Sequence, residues 1–539
     1  MKSVRALYHL ARADFLQRTR SYGFLITLGI TLYVGYFFIP PNHSSYATMQ
    51  IGGHRGLYNS AYLGSLMALL ISPFLSLAGF YLVKNAIERD IQTRVGQILA
   101  TTTLSKPLYT IGKTISNFAV LAVMVAVMGV AAVGMQFVRQ EDPTLHLGQI
   151  FMPLIFISLP VMLVVAGVAI LFEAIRWLRG GLGNVVYFFL WVTALSTPIT
   201  RLDSARHGGA YNDLFGMGVV VPSISAACET AFPGSTKAGL SMGINFKTSG
   251  NFWDLSTFQW EGLDWTREII VSRLWWLSAG LGLALLAALF FRRFDPAQEG
   301  SRRTSKAIPQ PASEPEAVDD HIVRNVAHAA TLYRLTKPPR FSFPFMVRAE
   351  LRLALHGVSL WWYLVAAGLF AASLFTPITV SRGFLIAAWI WPLTIWSAMG
   401  TRETRWRADQ LVFSTAHPLR RQLPACWLAG VIIAVLTGGG TGVRLLVAGE
   451  QLGLLAWTVG ALFIPTMALT LGVWSGSSKL FEVLYLFLWY LGPANQVGQI
   501  DFMGAMGPLL PPRTPVLFLT VTVVLVIFAV AGRKRQLTN

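Results

Sequence analysis

The sequence predicts an all-α polytopic membrane protein of about twelve transmembrane helices, arranged as a tandem repeat of six and six. Three observations support this fold class. Of 539 residues, 54% are hydrophobic and only 13% are charged, about half the charged share of a typical soluble domain. The apolar residues form blocks of about twenty, the length of helix that crosses roughly 30 Å of hydrocarbon. Similar polar segments also recur at matching places in the two halves.

The positive charges indicate which segments face the cytoplasm. With the amino terminus inside, 32 of the 43 Lys and Arg residues fall in predicted cytoplasmic segments and 11 fall elsewhere. This bias is typical of membrane topology, so the net charge of +18 does not indicate a nucleic-acid partner. We expect both termini in the cytoplasm and a bacterial cytoplasmic (inner) membrane as the location. The predicted spans lie near 21–40, 61–83, 114–136, 149–172, 184–200, 273–291, 358–377, 383–400, 425–443, 453–473, 480–497 and 514–532.

A long polar segment, 292–343, divides the predicted spans six and six. It is rich in Pro, Ser and charges, a composition that does not bury a core and is typical of a flexible linker. We therefore expect a first six-helix half at 1–291 and a second at 344–539. The first half contains an external loop, 201–272, that is rich in Gly and Ser and carries three Trp residues. That loop could form a small cap or lie against the membrane interface, where Trp is favoured.

Two polar elements occur in both halves. A short charged helix precedes the first span of each half, at 10–15 and 346–351, with the spacing of a helix that lies in the headgroup plane. After the second span, residues 88–99 match 401–412 in an Arg–acid pair, in a second Arg five residues on, and in a Gln followed by two aliphatic residues. A charged helix held between two spans can transmit motion from a bound partner. An ordinary solvated loop is the alternative, but it does not explain the match.

The sequence offers no catalytic or metal site. The run Gly112-Lys113-Thr114 looks like the end of a phosphate-binding loop, but Pro107 stands where that loop needs a glycine and no strand precedes it. The sequence also lacks the zinc-binding helix signature His-Glu-x-x-His. The two cysteines fall on opposite predicted sides of the membrane, and neither has other metal-ligating residues near it in the sequence.

The predicted spans contain almost no charge at their centres. An ion-coupled carrier buries acidic or basic groups there, because the coupling ion must bind within the membrane. Four charged residues near span ends are expected to snorkel to the interface instead of forming a buried relay. The energy for transport is therefore expected from a partner, such as a cytoplasmic ATPase. The four residues are Glu173, Arg382, Arg444 and Glu482.

In these features the chain resembles the ABC-2-type permeases, the transmembrane subunits of ATP-binding-cassette exporters. The resemblance is carried by the entry helix, by the first span pair and by residues 87–90, 96–102 and 104–113; it reaches the second half mainly through the repeat. Such permeases have interfacial elbow helices, and a coupling helix after span two docks on the nucleotide-binding subunit. The resemblance implies a permease without its own ATPase site. ATP and Mg would be bound by two copies of a cytoplasmic nucleotide-binding subunit.

The resemblance also implies roles for individual residues. The residues expected to face the ATPase are Glu88, Arg89, Asp90, Arg94, Arg402, Glu403 and Arg407. The residues expected to fix the elbow helices are Arg12, Asp14, Arg348 and Glu350. A pathway between the halves would have as polar or aromatic candidates Ser65, Ser72, Tyr187, Trp191, Trp396, Tyr485 and Trp489. Each group has an alternative role. The loop residues could pair with each other, the elbow residues could simply anchor at the interface, and the pathway candidates could be packing residues.

Two other classes stay open. A secondary, ion-coupled carrier of the major-facilitator kind also has six plus six spans, but needs a coupling residue at mid-membrane and usually a Gly-rich basic loop between spans two and three. A membrane enzyme acting on lipid-linked groups would place catalytic acids in external loops. The acids available there are Asp203, Asp213, Glu229, Asp254, Glu261 and Asp264, without a paired motif. The cargo, and a mechanical role in place of export, are left open.

Overall fold

The chain folds into two compact units, Met1–Thr304 and Ser305–Asn539. The boundary falls inside the segment predicted to be a linker. The computed structural model describes residues 2–538 except 21, 42–43, 45, 203–212, 236–239, 247–254, 292–341, 406–407, 416 and 495–496.

Helices make up most of the first unit. A π-helical turn, Leu154–Ser158, joins the seventh helix to the eighth, so that these two form one continuous segment. In chain order the helices α1 to α11 are Lys2–Thr19, Tyr22–Phe37, Ser60–Val83, Ala86–Gln92, Val95–Thr101, Lys106–Arg139, Leu147–Pro153, Leu159–Ala174, Gly181–Leu202, Met217–Ala231 and Arg267–Phe290.

The second unit is helical as well. A π-helical turn at Tyr490–Ala494 and short 3₁₀ turns at Gly498–Ile500 and Gly507–Leu509 precede its last helix. Its helices, α12 to α21, are Phe343–Ala354, Leu360–Phe375, Ile378–Ile390, Leu393–Trp396, Arg402–Arg405, Asp409–Phe413, Pro418–Val447, Gln451–Ser475, Ser478–Trp489 and Arg513–Thr538.

Eight helical segments in the described part of the chain are long and apolar enough to cross a membrane. Some of them expose apolar side chains along their length: Ile527 and Phe528 of α21 are 64% and 52% exposed, which suits lipid and not water. The prediction of a helical, polytopic integral membrane protein is confirmed at this level. The other four predicted spans coincide with α2, α9, α13 and α20, which fall outside this set. The eight segments are Ser60–Gln92, Lys106–Arg139, Leu147–Ala174, Arg267–Phe290, Ile378–Trp396, Pro418–Val447, Gln451–Ser475 and Arg513–Leu537.

Besides its helices, the first unit contains at one end a small sheet of four strands, which was not predicted from the sequence. The strand order is β3-β1-β2-β4, with β1 antiparallel to both its neighbours and β2 parallel to β4. Gly52 and Gly53 turn the chain between β1 and β2 with φ of +55° and +86°, a conformation that glycine adopts without strain. The predicted external loop thus supplies half of a sheet. The strands are β1 (Tyr46–Ile51), β2 (His54–Gly56), β3 (Leu240–Phe246) and β4 (Ser256–Phe258).

The long helices of the first unit connect this sheet to a second, charged end. Helix α3 begins beside the sheet, where Asn59 donates to the carbonyl of Trp260 at 2.7 Å, and ends next to α4. Helix α6 runs back from α5 over 34 residues, about 50 Å at the usual rise of a helix. We call the two ends of this unit the sheet end and the elbow end; the elbow end contains α1, α4 and α5.

Helix α8 and α11 pack closely in the middle of this unit through small residues. A Cβ atom added to Gly167 would lie 2.5 Å from the carbonyl oxygen of Gly280, so the two backbones approach as closely as glycine allows. Small residues at such crossings are typical of helices that pack within a membrane. The packing holds α8 in place, and the end of α8 supplies a residue of the site described next.

Candidate functional site

Asp14 of α1 lies at the centre of a buried ionic network at the elbow end. One of its carboxylate oxygens accepts hydrogen bonds from Arg89 Nη2 at 2.7 Å and Lys113 Nζ at 3.2 Å. The other accepts from Arg18 Nε at 3.2 Å and Ser116 Oγ at 2.8 Å. The side chains of Asp14 and Lys113 are only 4% and 3% exposed. One carboxylate therefore joins α1, α4 and α6.

Asp90 extends the network through the same lysine. Its carboxylate accepts from Tyr109 Oη at 2.7 Å and from Lys113 Nζ at 2.9–3.0 Å. Lys113 therefore bridges two carboxylates, one on the entry helix and one on the loop after α3. Buried charges of this kind are tolerated when they are paired and hydrogen-bonded, and removing one partner leaves the others uncompensated.

Glu173, near the end of α8, fixes the beginning of α4. It is fully buried. Its Oε1 accepts from the backbone N–H groups of Asn85 and Ala86 at 2.6 and 2.9 Å, and its Oε2 from those of Ile87 and Glu88 at 2.6 and 3.3 Å. The first amide groups of a helix have no partner within the helix, and a carboxylate there also meets the positive end of the helix dipole. The prediction that Glu173 snorkels to the interface is therefore wrong.

Lys84 also stabilises the joint between α3 and α4. Its ammonium group donates to Asn184 Oδ1 at 2.5 Å and to the carbonyls of Leu178 and Gly180 at 3.3 Å each. The side chain is buried. Together with Glu173, it connects this joint to the chain between α8 and α9. Four helices thus hold the base of the loop that contains α4 and α5.

The far part of this loop, by contrast, is open to solvent. Arg94 is exposed and adopts a left-handed φ of +60° as it begins α5. Two aliphatic side chains project beside it: Val95 is 41% exposed and Ile98 is 67% exposed. We call residues 92–103 the loop tip. Exposed aliphatic residues next to a cation on an otherwise polar loop are typical of a contact surface.

The structure corrects part of the predicted docking surface. Asp90 and Glu403 are buried, with 6% and 8% exposure, so a partner could not touch them. Arg89 is turned towards Asp14, and Glu88 is half-buried beside it. Of the predicted residues of the first loop, only Arg94 lies fully on the surface. The alternative prediction was that these charged residues pair with each other within the loop. Arg89 instead bonds Asp14 of the entry helix, α1.

The second unit contains similar contacts in the corresponding elements. Arg402 lies 3.8 Å from Glu350 of α12, as Arg89 lies close to Asp14 of α1. Glu403 accepts from Gln422 Nε2 of α18 at 2.8 Å, as Asp90 accepts from groups on α6. The cation that meets Glu403 is Arg533 of α21, at 3.2 Å. Arg407, also predicted to dock a partner, lies outside the described residues.

The predicted elbow residues divide into two kinds. Asp14 and Glu350 contact the loops, whereas Arg12 and Arg348 are exposed, which fits simple interfacial anchoring. Sequence reasoning missed Arg18, although its i, i+4 spacing from Asp14 is a recognisable signal. It also missed Lys113, which it considered only as a failed phosphate-binding lysine.

Buried charge also occurs near span ends of the second unit. Arg382 is 5% exposed and donates to Glu450, and Glu482 is 1% exposed. The prediction that these residues snorkel is wrong, because their side chains lie inside the unit. Arg444 is half-buried.

The predicted pathway residues are buried within their own units. Their polar atoms bond neighbouring helices: Tyr187 Oη donates to the Ser76 carbonyl and Tyr485 Oη to the Trp389 carbonyl, both at 2.7 Å. The packing alternative describes these contacts. Ser72, Trp191, Trp396 and Trp489 make similar bonds to neighbouring helices, and Ser65 is buried.

Among the acids of the predicted external loop, Asp213 has a structural role. Asp213 accepts from the N–H groups of Met217 and Gly218 at 2.8 and 3.2 Å and lies 3.8 Å from Arg273. It therefore caps α10. Asp203 and Asp254 lie outside the described residues, and no cluster of metal-ligating side chains occurs among the residues that are described.

Comparison with known proteins adds no relative: the chain matches no family model, no curated protein and no solved structure.

The two acids of the entry helices differ in their electrostatics. Burial alone would raise the pKa of Asp14, but Arg18, Lys113 and Arg89, with the hydrogen bond from Ser116, outweigh it and hold the pKa below its usual value. Burial raises the pKa of Glu350 above its usual value, and Arg402 only partly offsets this. Folding therefore favours ionisation of Asp14 and disfavours ionisation of Glu350, each relative to the unfolded chain.

Replacing Asp14 by Asn should destabilise the first unit by about 3–5 kcal/mol, the usual cost of breaking a buried ion pair. Three cations would lose their shared carboxylate. Thermal unfolding of the purified chain in detergent measures the effect, with Asp264→Asn as the control, because Asp264 is an exposed Asp of the same unit. Equal melting temperatures for the two variants would contradict the central role of Asp14.

The same pair of proteins tests the pH dependence. A lowered pKa means that the ionised carboxylate stabilises the folded state above the unfolded pKa of about 4. This stability is lost as pH falls through the folded pKa. The difference in melting temperature between the wild-type chain and Asp14→Asn should hence be constant from pH 7 to about 5 and shrink below about 4. A difference that persists to the lowest pH would count against this assignment.

Replacing Glu350 by Gln should have the opposite character. Because burial makes the ionised form of Glu350 less favourable in the folded chain than in the unfolded chain, a neutral amide at pH 7 removes this burial cost. We expect the melting temperature to stay unchanged or to rise slightly. A fall as large as that of Asp14→Asn would show that the contact with Arg402 stabilises the second unit, contrary to the raised pKa.

Replacing Glu173 by Gln should loosen the beginning of α4. An amide has one acceptor oxygen in place of two, so two of the four N–H groups lose their partner, at a cost of about 1–3 kcal/mol each. Hydrogen exchange of the amides of residues 85–88 should accelerate at least tenfold. Glu268→Gln, an exposed Glu in α11, serves as the control and should leave this segment unchanged.

Proposed function

We propose that this chain is the transmembrane permease subunit of an ABC-2-type exporter. In this proposal it crosses a bacterial inner membrane twelve times, in two six-helix halves, with both termini and the elbow end in the cytoplasm. The chain itself has no ATPase site. Two copies of a cytoplasmic nucleotide-binding subunit, which bind ATP and Mg, dock on the loops after the second span of each half.

The observation that carries the proposal is the construction of the first loop. Its base is bonded to α1, α6, α8 and the α8–α9 connection through Asp14, Lys113, Glu173 and Lys84. Its tip presents exposed aliphatic side chains beside Arg94. A push on the tip would therefore move several long helices together, which is the mechanical task of a coupling helix.

The recurrence of the contacts supports the six-plus-six repeat. In each unit an acid on the short entry helix lies close to the first Arg of the loop, and the next acid of the loop bonds to the following long helix. Each predicted span also coincides with a helix. A sequence match together with matching contacts favours duplication of one permease module over chance similarity.

Co-purification tests the docking surface directly. The tagged chain would be purified from its native membrane in mild detergent, its partners identified, and ATP hydrolysis measured. The double variant Arg94→Glu, Ile98→Asp should reduce a co-purifying cassette ATPase at least tenfold, because both changes lie on the loop tip and break no described bond of the network.

The control carries one Arg→Glu and one aliphatic→Asp change at other exposed positions. Arg176→Glu lies at the elbow end on another connection, and Leu145→Asp lies at the sheet end; both residues are exposed. This double variant should retain the ATPase. Equal loss in both proteins would refute docking at the loop tip. A pure chain with no ATPase partner would favour the secondary carrier, whose test is uptake into liposomes driven by an ion gradient.

A further inference from the structure

A cavity of about 400 Å³ lies at the elbow end of the first unit, between α1, α2, the α3–α4 joint and α6. Three cations line it: Arg18, Lys84 and Arg89. No Asp or Glu occurs among the described residues of its lining. A cavity with this lining favours an anion.

The cavity also has an apolar wall. Phe24 lies in the first turn of α2, Leu82 in the last turn of α3, and Val120 on α6. Phe24 and Val120 are 5% and 1% exposed, so this wall is part of the packed interior. The cavity therefore spans the change from the charged layer of the elbow end to the apolar part of the helices.

Such a change of polarity along a membrane helix marks the depth of the lipid headgroups. An anionic phospholipid carries its phosphate at this depth and its acyl chains in the adjoining apolar layer. Basic pockets between transmembrane helices on the cytoplasmic side are a known means of binding phosphate headgroups. An inorganic phosphate would find the cations but gain nothing from the apolar wall.

We propose that this cavity binds the phosphate headgroup of an anionic glycerophospholipid, with the glycerol end of the lipid towards the apolar side formed by Phe24, Leu82 and Val120. Arg18 and Arg89 both line the cavity and bond Asp14. The bound headgroup therefore shares these guanidinium groups with the network that holds the loop. The proposal concerns the chain alone and does not depend on the identity of an ATPase partner.

The test changes the charge of the lining without breaking the network. Gln17 is exposed and lines the cavity, so Gln17→Glu adds an anion there and Gln17→Lys adds a cation. Gln97→Glu adds the same anion on the nearby loop tip, outside the lining, as the control. Each full-length protein is purified from nanodiscs that contain equal amounts of phosphatidylglycerol and phosphatidylcholine, and native mass spectrometry counts the retained lipids.

We expect the wild-type chain to retain phosphatidylglycerol in preference to phosphatidylcholine. Gln17→Glu should weaken this retention about 3- to 10-fold, as one added charge within a Debye length would, whereas Gln17→Lys should strengthen it and Gln97→Glu should leave it unchanged. Inorganic phosphate at millimolar concentration should not displace the lipid.

Three results would overturn the proposal. Equal retention of the two lipids would show that the cavity does not select an anion. Equal weakening by Gln17→Glu and Gln97→Glu would show a general surface effect instead of a site. Displacement by inorganic phosphate alone would identify a free anion, and not a lipid, as the occupant.

Discussion

The ionic network of the elbow end depends on one ammonium group, that of Lys113. Lys113 lies between Asp14 and Asp90, and without it two carboxylates would face each other in a buried site. Desolvation makes such an arrangement costly, so Lys113 of α6 acts together with the direct Arg89–Asp14 bond to hold α1 against the loop. Everything else at this end follows: Arg89 and Arg18 complete the shell around Asp14. Glu173 caps the start of α4 beside this network.

This arrangement separates a rigid base from an accessible tip. The buried ion pairs and the capped helix make the base of the loop resistant to local opening, because opening it would expose several charges at once. The tip has few buried contacts and makes none of those bonds. A surface that must bind and release a partner is usually drawn from such weakly held segments, whereas the transmission of force needs the stiffness of the base.

Much of the helical architecture could be predicted from the sequence, because crossing a membrane requires long apolar blocks that are visible in one dimension. The repeated loop was visible for a similar reason: Arg89 and Arg402 stand at matching places. The role of Lys113 was not visible, because its partner Asp14 lies 99 residues away. The sheet was missed since its strands come from two distant loops, although Gly52-Gly53 between short strand-like runs is a hairpin signal. Burial of Asp90 likewise depends on where α1 and α6 meet, which local patterns do not determine.

The second acid of each loop pairs with a cation at a different distance along the chain, and this difference sets how long each carboxylate waits for its partner during synthesis. Asp90 meets Lys113 after only 23 further residues, so its charge is neutralised almost as soon as α6 leaves the ribosome. Glu403 must wait 130 residues for Arg533, on the order of ten seconds at usual rates of synthesis. During that interval the second loop carries a carboxylate without its cation. The second loop therefore gains its cation only when the last helix has been made, whereas the first loop gains its cation early in synthesis.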